Sequence, residues 1–169
     1  MRGLAQAFAE GFLNPLLTPA HALTLLALAL CVGQQKGRGA AWLIFGLALA
    51  AGFLAIVLAV ETTPARIVLL ADAAALGVMA ATVWAPRPLV WLLAATTGAA
   101  LALDSPPQAV TIAAAYATLV GTALGACAML VVIATIASHA NADWQRLGMR
   151  ILGSWIAASA ILVLAVQLR

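Results

Sequence analysis

Beyond its first dozen residues the chain is a succession of apolar runs, parted by short breaks that carry Gly, Pro or charge. The runs are about 20 residues long, which as helix is ~30 Å, the hydrocarbon thickness of a bilayer. That spacing leaves few folds open. The chain is 66% hydrophobic and 8% charged, with a mean hydropathy of +1.12, whereas soluble domains run near 45–50% and about 25%. A water-soluble fold of 169 residues has no interior large enough for this much apolar surface. The expected fold class is all-α, a polytopic transmembrane helical bundle rather than a barrel, because a helix satisfies its own backbone groups in lipid. No linker is long enough to divide residues 1–169, so a single transmembrane domain is expected.

Six spans are expected, near 18–33, 40–60, 66–84, 88–103, 109–137 and 147–168. Residues 1–13 place Leu4, Phe8 and Phe12 on one helical face, with Gln6 and Glu10 off it. This reads as an interfacial helix lying on the membrane. A signal peptide is the rival reading, but the segment has one Arg and no long apolar core before Glu10. Six spans put both termini on one side, with Arg2, Arg66 and Arg169. The other side carries Lys36, Arg38, Arg87, Arg146 and Arg150. The excess of basic residues on the second side places the termini outside, which is periplasmic in the inner membrane of a bacterium. Glu10, Glu61 and Asp104 fall on the same side as the termini.

Few residues can carry chemistry. His21 follows Thr18 and Pro19, which suit the cap and first turn of a helix, so it is expected near the mouth of the first span. Asp72 is the one acid deep within an expected span. Intramembrane carboxylates face the bundle interior and have a partner or a task. Two readings follow: a His21–Asp72 pair at the mouth of a cation pathway, or a packing hydrogen bond from Asp72 to Thr24, Thr96 or Thr97. A lone His21 can also do no more than satisfy a loop carbonyl. His139 lies in the loop after the fifth span, on the opposite face, so the two histidines cannot together ligate a haem.

Gly121 and Gly125 form a G-x-x-x-G pair that suits close helix packing. Cys31 and Cys127 lie in apolar runs and do not suggest a disulfide. Trp42, Trp84, Trp91, Trp144 and Trp155 mostly flank spans and read as interfacial anchors. The net charge of +3 reflects loop arginines; no clustered basic and aromatic surface suggests nucleic acid. No P-loop, G-x-S-x-G or paired zinc histidines occur, so no enzymatic activity is expected.

The stretch GFLNPLLTPAHALTLLALAL resembles the first span of the HupE/UreJ family of small bacterial membrane proteins associated with nickel or cobalt uptake. The family pattern is His-Pro, a short spacer, then Asp-His and a Leu/Ala-rich run. Asn14 stands before Pro15 in place of the first His, Ala20 replaces Asp, and His21 matches the second His. A second family motif, His-Gly-x-Ala-x-Gly-x-Glu, is similar to the run from Val120 to Cys127. Gly121, Ala123 and Gly125 keep its frame, while Val120 and Cys127 replace its His and Glu. The resemblance implies a divergent metal permease for Ni²⁺ or Co²⁺, with Asn14, His21, Asp72 and Cys127 as the candidate metal residues. The alternative is an accessory or structural subunit of a larger membrane complex, partnered with other membrane subunits or with itself, that kept the scaffold and lost the site.

Overall fold

The structure, a computed structural model, describes residues 2–35, 39–58, 64–107 and 111–167. Lys36, Arg38, Glu61 and Arg169, which enter the charge balance above, lie outside the described residues. Among the described residues seven helices follow in order: α1 (Arg2–Leu17), α2 (Pro19–Gly33), α3 (Gly39–Val57), α4 (Ala65–Thr82), α5 (Arg87–Leu103), α6 (Ile112–Ser138) and α7 (Asp143–Gln167). No strand occurs among the described residues. Each apolar segment read as a span carries one helix, α2 to α7.

Among the described residues four helices, α3, α4, α6 and α7, are long and apolar enough to cross a membrane, and α1 with α2 makes a fifth if the bent pair counts as one. The shorter α5 has 17 residues.

The break between α1 and α2 has a local cause. Pro19 has no N–H to bond the preceding turn, and its ring pushes Thr18 out of the α region. Thr18 is extended (φ −91°, ψ 111°), and the two helix axes bend by 69°. The expected Thr18 cap does not form. Its hydroxyl donates back to Asn14 Oδ1 at 3.1 Å instead, because the α1 turn continues through Asn14 and puts that amide within reach.

The segment over 1–13, expected to lie on the membrane, forms part of a longer helix. The helix runs on to Leu17 and packs lengthwise on α6, its most extensive contact. Glycine makes this possible. A Cβ on Gly121 or Gly125 would overlap the backbone of Phe8 and Phe12, and one on Gly11 would overlap Thr118. The side chains of Leu4, Phe8 and Phe12 stay exposed.

Similar seams join the other long pairs. Gly52 meets Ala99 and Ala102, and Gly98 meets Phe45 and Leu49, so α3 and α5 lie side by side in the same direction. Gly77 and Gly153 face each other across α4 and α7, which run in opposite directions. Thr24 donates within reach of Leu69 O at 2.9 Å, and the Cys31 thiol donates to Leu76 O at 3.2 Å, so α2 and α4 run in parallel. These registers put the starts of α2, α4 and α6 at one end of the bundle, with the end of α5. Central α2 is the most buried helix, and from Leu25 to Val32 only Leu26 is not fully packed in the core.

At the other end α4 stops at Val83, a β-branched residue held at φ 57°, where the left-handed backbone cannot continue the helix. Of the expected tryptophan anchors, Trp155 departs most. It lies mid-helix in α7 and is 72% exposed, so it projects outward from the middle of a helix rather than from its end.

Candidate functional site

The polar residues of the bundle gather where α1 ends, α2 and α4 begin and α5 finishes. His21 sits in the first turn of α2 and is fully buried. Its Nε2 lies 3.0 Å from Asp104 Oδ2. Pairing with a carboxylate keeps the ring proton on Nε2 and leaves Nδ1 as a lone-pair acceptor. That Nδ1 is buried and has no hydrogen-bond partner among the described residues.

Asp104 caps α5 and is itself only 18% exposed in its side chain, and Arg66 Nε, from the start of α4, reaches the same Oδ2 at 3.8 Å. One residue on, Ser105 Oγ accepts from Asn14 Nδ2 at 3.3 Å. Asn14 thus ties the end of α1 to the Asp104 corner while its own Oδ1 holds Thr18.

A cavity of about 530 Å³ opens beside this corner, between α1, the 104–106 turn and the start of α6. Gln6, Glu10, Asn14, Asp104, Ser105 and Thr118 supply most of its polar lining. Glu10 is held by Gln6 Nε2 at 2.9 Å, one turn away on the same helix. Its two carboxylates, Glu10 and Asp104, give the cavity a negative lining.

Asp72 does not join His21. Its Oδ2 accepts from Thr96 Oγ1 at 2.8 Å and Thr97 Oγ1 at 3.0 Å, both on α5. The parallel register of α2 and α4 explains the separation. Thr24 stands level with Leu69, His21 lies three residues before that level and Asp72 three residues beyond it. Along the axes the two side chains are therefore offset by about 9 Å at 1.5 Å per residue. Asp72 takes the packing hydrogen bonds to two of the three threonines named from sequence, while Thr24 goes to backbone carbonyls.

Cys127 is half-buried in the middle of α6 and Cys31 is buried in α2; both are free thiols. The four candidate metal residues therefore divide. Asn14 and His21 share the Asp104 corner, and Asp72 and Cys127 do not. Among the described residues, no three His, Cys, Asp or Glu side chains are gathered as a metal shell requires. Gly121 and Gly125 lie where the α1 backbone meets α6.

Asp104 and Ser105 were missed as site residues by the sequence reading, which used Asp104 only as a loop charge. The available signal was an acid directly after an apolar run and before Pro106-Pro107, where a helix must stop.

Compared with protein-family models, with curated proteins and with solved structures, the chain matches none. The fold therefore defines the class by itself: an all-helical chain with several apolar helices of membrane-crossing length, and a carboxylate-paired histidine buried at one end.

Proposed function

We propose that the chain is a six-span, HupE/UreJ-like protein of the bacterial inner membrane, with both termini periplasmic, that takes up a divalent transition metal such as Ni²⁺ or Co²⁺. The alternating direction of α2 to α7 supports six crossings, and 17 residues in α5 is at the short end of what ~30 Å of hydrocarbon requires.

The observation that carries the metal reading is the His21–Asp104 pair. Metal-binding imidazoles commonly donate their second N–H to a carboxylate, which orients the ring and raises the basicity of the ligating nitrogen. In His21 the nitrogen left for a ligand is Nδ1, buried and unpartnered. The neighbouring cavity supports a route from water, because Glu10, Asn14 and Asp104 offer oxygen atoms and negative charge to an arriving cation. In this reading Asn14 and His21 remain at the metal path, and Asp72 and Cys127 serve packing. No catalytic step is part of it.

A second reading is favoured by the same side chains. Asp104 is already held by His21 and Arg66, and Asp72 by Thr96 and Thr97, as in a scaffold whose polar groups only fix helix positions. That is the accessory subunit of a larger membrane complex.

Nickel and cobalt accumulation in cells separates the two. The permease reading expects wild-type protein to raise accumulation, and His21→Ala and Glu10→Gln each to lower it at least to half while membrane protein levels hold. Accumulation equal to that of cells without the protein, together with a second membrane protein co-purifying in mild detergent, would put the subunit reading in its place.

A further inference from the structure

The end opposite His21 holds a cleft with a polar head and an apolar tail. α6 and α7 follow one another in sequence but scarcely touch: α6 rests on α1 and α2, and α7 on α4. The space between them is an apolar groove of about 360 Å³. Leu26 and Leu30 of α2, Ile133 and Ile136 of α6, and Met149 and Leu152 of α7 line it. At its head lies a second cavity of about 400 Å³, lined by Gln34, Ser138, Asn141, Arg146 and Arg150 among others. The two cavities share Ala137, Ala140 and Met149, so they form one continuous surface.

The charges at the head are unbalanced. The ion pairs among the described residues both involve Asp104, at the far end, so neither Arg146 nor Arg150 has a carboxylate partner there. Arg150 gives its Nε–H to Ala81 O at 3.0 Å, which orients the guanidinium and leaves its two terminal nitrogens without a described partner. Asp143, the nearest acid in the chain, is exposed and does not line either cavity. From Gln34 at the head to Leu26 along the groove is about 12 Å of helix, close to the ~15 Å of one leaflet's hydrocarbon.

We propose that this cleft binds one anionic phospholipid, with the phosphate at Arg146 and Arg150 and an acyl chain along the groove between α6 and α7. Charge and shape decide the occupant together. Guanidinium groups take phosphate oxygens in bidentate fashion, and a neutral apolar helix seated in the groove would leave both arginines without a counter-charge. Gly148 suits this role. It lines the groove, and a Cβ there would meet nothing within 4 Å, so the side that faces the chain is open.

Native mass spectrometry of the detergent-purified protein, exchanged with phosphatidylglycerol or phosphatidylcholine of the same acyl chains, tests it. One phosphatidylglycerol is expected to remain bound per chain, with phosphatidylcholine lost. The double variant Arg146→Gln/Arg150→Gln is expected to weaken phosphatidylglycerol retention about 30-fold, as two basic contacts to an anionic lipid imply. Gly148→Leu, which keeps both charges and fills the groove, is expected to lose the lipid as well. Equal retention of the two lipids, or unchanged retention in both variants, would overturn the proposal in favour of non-selective boundary lipid. Thermal stabilisation by inorganic phosphate equal to that by phosphatidylglycerol would overturn it in favour of a free-anion site. Self-crosslinking through Trp144→Cys with no lipid retained would assign the cleft to a second copy of the chain.

Discussion

The two ends of this bundle treat charge in opposite ways. At the His21 end, charged and polar side chains from α1, α2, α4 and α5 answer one another: Asp104 meets His21 and Arg66, and Asn14 meets Thr18 and Ser105. At the Arg150 end, Arg146 and Arg150 face a cavity with no described carboxylate. The difference follows from depth. His21 is fully buried, so its ring must have a partner within the protein, whereas Arg146 and Arg150 are exposed and can leave theirs to the surroundings. One end pairs its charges within the chain, and the other leaves two guanidinium groups with no carboxylate partner among the described residues.

The largest expected effect lies at the His21 end. Asp104→Ala removes the carboxylate from a fully buried histidine and leaves both ring nitrogens unpartnered, at a cost of about 3 kcal/mol, because breaking a buried pair strands its other half. Unfolding in detergent measures it, and a loss below about 0.5 kcal/mol would mean that the two ends do not differ as described. A middle effect is expected at Asp72. Asp72→Leu takes the shared acceptor from Thr96 and Thr97 at a cost of about 1–2 kcal/mol, and Asp72→Asn, which keeps an acceptor, costs less than about 1 kcal/mol. The same unfolding assay checks both, and an Asp72→Asn loss as large as that of Asp72→Leu would show that charge, not acceptance, matters there. The smallest effect is expected at the open end. In lipid-free detergent Arg146→Gln changes stability by no more than about 0.5 kcal/mol, as surface substitutions do. A larger loss would mean that Arg146 is part of the internal structure after all.

Much of the helix pattern was legible because its causes are local. Apolar runs bounded by Gly33, Pro106 and the 139–142 turn mark where helices stop, Pro86 marks where α5 starts, and Pro19 marks the break that opens α2. The packing role of glycine could be read from Gly121 and Gly125, but not that the partner backbone is α1. The site was half legible. His21 and Asn14 stand out as polar residues near a helix start, and both lie at the corner. The partner of His21, Asp104, is 83 residues away and looks like an ordinary loop charge. For Asp72, a pair with His21 and a packing hydrogen bond to a threonine are both open from sequence, because both residues are rare polar groups in apolar runs. The register of α2 on α4 decides between them, and no periodicity in either helix encodes that register.

By itself, then, the sequence determined the class of fold. Apolar runs of membrane length can satisfy their backbone only as helices, and Pro and Gly set where those helices break. Only the tertiary structure decided which helices touch, because glycine-to-backbone seams such as Gly125 on Phe12 and Gly77 on Gly153 depend on matching surfaces far apart in the chain. It also decided which charges are answered inside and which are left to face outward, since a buried side chain must find its partner among whatever those seams bring close.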